Sequence, residues 1–125
     1  MLYHNMNWKI KPYEKLNGEI PVLEYILELP PKQRAKIESE IDILEKHGIN
    51  LIYPSVLKLK GKRYKGLWEL RIKFSNNISR IIYFLHKQDT FVLLHAFSKK
   101  TFKTQKKELE ISRDRMNEYL KREVY

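Results

Sequence analysis

The sequence predicts an α+β domain: a small antiparallel sheet with helices packed on one face, in the order strand, two helices, three or four strands, helix. Two patterns carry this reading. Residues 21–47 place apolar side chains three and four apart, as amphipathic helices do, whereas residues 56–97 alternate apolar and polar with period two. Length adds a third constraint, since 125 residues with 42% hydrophobic content hold one modest core. The whole chain, 1–125, therefore reads as a single domain, with residues 1–7 as an N-terminal tail.

The first element is a short strand within Trp8–Tyr13, with Pro12 restricting it to an edge or to its own end. Asn17-Gly18 marks a turn. Pro21–Leu29 reads as a helix with proline in its first turn, burying Val22, Tyr25, Ile26 and Leu29. Pro30-Pro31 ends it. Lys32–His47 follows as a second helix, with Ala35, Ile37, Ile41 and Leu44 in register and Gly48 as its stop signal. Alternating runs at Val56–Lys60, Leu67–Phe74, Ile78–Leu85 and Thr90–Phe97 give the strands. Lys106–Arg122 is a closing helix, with Leu109, Ser112, Met116 and Tyr119/Leu120 facing inward.

Asn76-Asn77 suits a two-residue hairpin loop, because asparagine tolerates the positive φ angles of such turns. That register sets Trp68 against Leu85, Leu70 against Tyr83 and Ile72 against Ile81, an apolar face suited to lie under helices. The other face pairs Arg71 with Ile82 and Lys73 with Arg80. Arg71, Lys73 and Arg80 then emerge together, within reach of one anion, and extension across the next turn brings His95 opposite Arg80. A slip by one residue would exchange the faces and bury charge.

Charge is distributed unevenly. The net formal charge is +10, from 25 Lys+Arg against 15 Asp+Glu. Residues 56–107 carry 14 basic and 2 acidic side chains, a net of +12, while the segments on either side each carry a net of −1. A self-repelling block of this size implies a polyanionic partner. Within it, Lys58, Lys60, Lys62, Arg63 and Lys65 surround Gly61, and Lys99, Lys100 and Lys103 follow the last strand. With Lys73 they form the expected RNA-binding set, and Tyr64 and Phe102 are rings suited to stacking on unpaired bases.

Several classes are disfavoured. Cysteine is absent, His4, His47, His86 and His95 lie far apart, and no HExxH, phosphate-loop or nucleophile-elbow motif occurs. No metal or other cofactor is expected. No apolar run approaches the roughly 20 residues of a membrane-spanning helix, and Met1–Trp8 lacks a secretory pattern, so the expected location is the cytoplasm, away from membranes. Metal-free cleavage of RNA stays open, because RNA supplies its own 2′-hydroxyl nucleophile. The protein would align it, hold the phosphate with arginine and transfer protons. His95 reads equally as an acid/base group and as a half-buried strand histidine. A non-catalytic RNA- or DNA-binding module would carry the same charges, and a domain docking an acidic protein is a third reading.

Leu57-Lys58-Leu59-Lys60, Gly66-Leu67-Trp68-Glu69-Leu70-Arg71, Arg80-x-x-Tyr83, and Leu93-Leu94-His95-Ala96-Phe97-Ser98-Lys99-Lys100-Thr101 with Lys103-Thr104 and Glu108 together resemble toxins of the HigB/RelE type, in particular their phage-derived HigB-like branch. Gly18–Val22 and Tyr25-Ile26 add to the likeness, which spans roughly residues 8–122. The resemblance implies a RelE-like, microbial-RNase-like β-α-α-β-β-β-α fold and a toxin–antitoxin system. Its toxin would be an endoribonuclease (an mRNA interferase) that cuts mRNA in the ribosomal A site without metal and so inhibits translation. The implied partner is an adjacently encoded antitoxin of helix-turn-helix type. By position, Arg71 and Arg80 match the strand arginines that hold the scissile phosphate, and Lys99 and Lys100 match the basic pair after the last strand. Lys58 and Lys60 match the basic strand and loop. The general acid stays open, with His95 and Lys99 as the choices, because Tyr119 and Tyr125 align with no family motif.

Overall fold

A computed structural model describes residues 7–51, 55–99 and 104–123. Its elements are β1 (Lys9–Pro12), α1 (Pro21–Leu27), α2 (Pro31–His47), β2 (Val56–Lys58), β3 (Trp68–Phe74), β4 (Asn77–His86), β5 (Thr90–Lys99) and α3 (Lys106–Arg122). The five strands form one sheet in the order β1-β5-β4-β3-β2. The sheet is mixed rather than wholly antiparallel: β1 runs parallel to β5, with Lys9 beside Thr90 and Pro12 beside Leu93. Pro12 ends this edge strand, where a missing N–H costs nothing.

Local chemistry sets the helix ends. Pro21 and Pro31 each occupy the first turn, where their fixed φ fits and no donor is lost. The Glu24 carboxylate accepts the Ile20 N–H at 3.0 Å, capping α1. Gly48, at φ +49°, turns the chain away from α2. The Trp8 N–H donates to the Glu45 carbonyl at 3.0 Å and lays the indole over that glycine, fastening the chain ahead of β1 to the end of α2.

The β3–β4 hairpin turns at Ser75-Asn76, not at Asn76-Asn77, so that Phe74 pairs with Asn77 and Arg71 pairs directly with Arg80. The expected register is corrected by two residues. A shift of two preserves which face each side chain occupies, since the pleat also has period two. Ser75 carries the positive φ of the turn, 55°. Ser75→Gly is expected to raise stability by about 0.5–1 kcal/mol, because glycine removes the left-handed strain and returns only part of it as chain entropy. Equilibrium urea unfolding reads this; a lowered midpoint would contradict the strain.

Two apolar clusters lie on opposite sides of the sheet. Val22 and Ile26 of α1 and Ile37 and Leu44 of α2 pack on Leu70, Ile72, Ile81, Tyr83, Phe91 and Leu93. Ile82, Phe84, Val92, Leu94 and Phe97 join Tyr119 of α3, with Leu109 and Met116 packed against them. Residues 81 and 82, 83 and 84, 91 and 92, and 93 and 94 thus divide between the clusters, and successive strand side chains point to opposite faces. One face carries α1 and α2, and α3 covers part of the other. This corrects the expectation of helices on a single face. A register shift between Ile82 and Tyr83 places Tyr83 beside Leu93 and Ile82 beside His95, leaving Leu94 as the extra residue. Among the described residues no helix is long and apolar enough to cross a membrane.

Candidate nucleic-acid interface

The face under α3 stays polar toward the β3–β4 hairpin. Three cross-strand rows define it: Lys73, Ile78 and Lys99; Arg71, Arg80 and Phe97; Glu69, Ile82 and His95. Same-face rows lie about 7 Å apart and neighbouring strands about 5 Å. Lys73 and Lys99 therefore stand on strands about 10 Å apart, one row from the arginines. Arg71, Arg80 and Lys73 share the face that the alternation predicts.

Cross-strand arginines repel, and this pair is held by a buried carboxylate. Glu69 has no solvent exposure. Arg71 Nε donates to Glu69 Oε2 at 2.8 Å, and Arg80 Nη1 reaches the same oxygen at 3.4 Å. Thr104, just ahead of α3, donates from its hydroxyl to Glu69 Oε1 at 2.5 Å and accepts from Arg80 Nη1 at 3.1 Å. Burial lowers the Arg80 pKa, Glu69 opposes that shift, and the Arg71 charge reinforces it. The guanidinium stays charged, so the shift expresses desolvation rather than deprotonation.

Exposure separates the two arginines. The Arg71 side chain is 17% exposed, whereas Arg80 is fully buried. The expectation that both present themselves to a phosphate is corrected for Arg80, which supports Arg71 from behind through Glu69. Lys73 is exposed, and Lys99 is half-buried with its ammonium 3.3 Å from Gln105 Oε1. Lys100, Phe102 and Lys103 lie outside the described residues.

His95 pairs with Ile82 rather than with Arg80. Arg115 Nη1 lies 3.3 Å from its Nδ1, and Glu108 Oε1 lies 2.9 Å from its Nε2. Arginine only donates, so Nδ1 accepts and Nε2 carries the proton given to Glu108. The ring also stacks on Phe97 at 5.2 Å. Burial lowers the His95 pKa, with Arg115 adding to the effect and the hydrogen bond to Glu108 opposing it. These contacts match the half-buried strand histidine of the two readings open in the sequence.

The basic loop divides by residue type. Arg63 makes a two-pronged contact with Glu110, 2.7 Å at each oxygen, and Tyr64 donates to the same carboxylate at 2.5 Å. Hydrogen bonds from Arg63 and then Tyr64 hold the Glu110 carboxyl down to about 2. Arg113 donates to the Arg63 carbonyl at 3.1 Å. Arg63 is thus a loop anchor rather than a free RNA contact, and Tyr64, packed on the second apolar cluster, is not poised for stacking. Lys58 pairs with Trp68, on the face opposite Arg71. The expected RNA-binding set is therefore divided between surfaces: Lys73 stands beside Arg71, whereas Lys58, Lys60, Lys62 and Lys65 line a separate open concavity.

Sequence reasoning missed Glu69, Thr104, Glu108 and Arg115. Glu69 did carry a signal, as one of two acids in the block of residues 56–107 and the one acid on the cationic face of β3. Among the described residues, no group of three or more His, Asp or Glu side chains is placed to hold a metal ion.

Fold and site together define a small α+β domain whose helices leave one cationic end of the sheet partly open. The chain belongs to the phage-derived Gp49-like family (DUF891), whose model matches residues 24–117. No curated protein matches it.

Proposed function

We propose that this domain is the toxin of a toxin–antitoxin system, an endoribonuclease of the HigB/RelE type that cuts mRNA on the ribosome. The observation that carries this reading is the Arg71–Arg80 pair, opposed across two strands and locked by the buried Glu69, with Lys73 and Lys99 one row away. These four cations and one carboxylate leave a net charge of +3 at the sheet end. A phosphodiester there meets Arg71 as its direct ligand, with Lys73 and Lys99 at the rim neutralising charge that develops on the phosphate oxygens. The substrate's 2′-hydroxyl serves as nucleophile. Arg80 acts through Glu69, fixing the direction of the Arg71 fork. The segments that resemble HigB/RelE toxins from Leu57 to Glu108 all fall inside the matched family region. The partner on this reading is an adjacently encoded antitoxin that covers the cationic face.

A non-catalytic RNA-binding module is the second reading, and His95 favours it. Its ring nitrogens are both occupied within the fold, which leaves the sheet end, among the described residues, without an exposed histidine to move protons.

Induced expression in a bacterial host separates the two. The toxin reading expects growth arrest, relieved by co-expression of the neighbouring gene and abolished by Arg71→Ala with the circular dichroism spectrum unchanged. Harmless expression of the intact chain would favour the binding module.

A further inference from the structure

Four lysines are left over from this site. Lys58, Lys60, Lys62 and Lys65 are exposed, line one concavity around Gly61, and have no ion pair among the described residues. They are also rigidly mounted. Gly61, at φ +100°, begins a tight turn over Lys62–Tyr64. Arg63, Tyr64 and Arg113 fasten that turn to α3. The loop spends its arginine and its aromatic ring as anchors and presents only ammonium groups. Lys58 emerges on the face opposite Arg71, and the lining of the concavity includes none of Arg71, Lys73 and Lys99, so this patch and the arginine site are distinct surfaces.

We infer that the lysine concavity is a second RNA contact, one that grips the phosphate backbone of a double-stranded segment while the Arg71 face addresses the strand to be cut. The inference rests on the RNA-directed reading above and adds a partner to it. Chemistry selects the duplex. Single strands are bound by stacking on exposed rings, and Tyr64, the ring in this loop, is committed to Glu110. Duplex RNA is recognised by shape and phosphate, which point charges on flexible stems satisfy. A membrane surface calls for apolar groups to insert beside the charge, and Leu59, the apolar residue of the concavity, packs into the core. Protein interfaces are depleted in lysine. Contacts of this kind carry no base readout, so the patch holds a structured RNA without regard to its sequence.

The test is fluorescence anisotropy with a labelled RNA duplex of about 16 base pairs. The parent protein should bind with affinity falling steeply in salt, by a slope of about −0.9 for each phosphate neutralised. The combined Lys58→Gln, Lys60→Gln, Lys62→Gln, Lys65→Gln variant changes only exposed side chains. It should keep the parent's melting temperature, lose roughly 100-fold in affinity and flatten the slope by about three. Arg71→Ala should bind the duplex as the parent does. A quadruple variant that binds like the parent would overturn the inference. So would equal losses in the quadruple variant and Arg71→Ala, which would mean a single surface, or a parent that prefers phosphatidylserine vesicles or an acidic peptide to the duplex. Duplex binding without growth arrest in cells would leave this surface standing and remove the nuclease reading instead.

Discussion

Replacing Glu69 with alanine should destabilise the domain by roughly 3–5 kcal/mol, the largest single effect we expect. The carboxylate is wholly buried and faces two guanidinium groups that sit opposite each other on adjacent strands. Removing it leaves a fully desolvated Arg80 beside a like charge and deprives the Thr104 hydroxyl of its acceptor. For a domain of this length such a loss lowers the melting temperature by roughly 10–25 °C. Glu69→Gln keeps the shape and an acceptor oxygen and should cost less. Combining Glu69→Leu with Arg80→Met should recover much of the stability, because a matched apolar pair removes both desolvation penalties. Thermal melts of the three variants check the order. A loss below about 1 kcal/mol for Glu69→Ala would mean that the cluster is solvated and its ion pairs weak.

Gly48→Ala comes second, with an expected loss of roughly 2–4 kcal/mol. A Cβ at this position would sit 2.4 Å from the Trp8 ring, and the backbone there has φ +49°. Neither neighbour yields easily. The indole packs against the core on the α1/α2 side, and the Trp8 backbone N–H is fixed to the Glu45 carbonyl. The steric and conformational parts can be separated by a double-mutant cycle. Trp8→Ala opens the space, so Gly48→Ala in that background should cost about 1–2 kcal/mol, the strain alone. Equal costs in both backgrounds, read by urea unfolding, would show that the ring is not the obstacle.

Much of the fold was legible because its signals are local. The alternation of Leu67–Phe74 and Ile78–Leu85 defined two strands and assigned every side chain to the correct face. The hairpin register slipped by two because Asn76 and Asn77 are the better loop formers, whereas the turn uses Ser75 at a positive φ. Non-local pairings were less legible. Four residues of β1 do not reveal that their partner begins at Thr90 or that the pair is parallel. The side taken by α3 had a trace in the sequence, since Ile82 and Phe84 are apolar on the face expected to be open. In the site, the shared face of Arg71, Lys73 and Arg80 could be read from parity. The burial of Arg80 could not, because it depends on Thr104 and α3 arriving from elsewhere in the chain. The charge of Arg63 was visible, but its neutralisation by Glu110, 47 positions away, was not.

The most direct measurement for the Arg71 face adds purified protein to a bacterial translation reaction and maps mRNA 5′ ends by primer extension. New ends are expected within the codon held in the A site, absent when ribosomes are omitted and absent with Arg71→Ala. Intact message at every codon, with a folded protein bound to the ribosome, would contradict the nuclease reading.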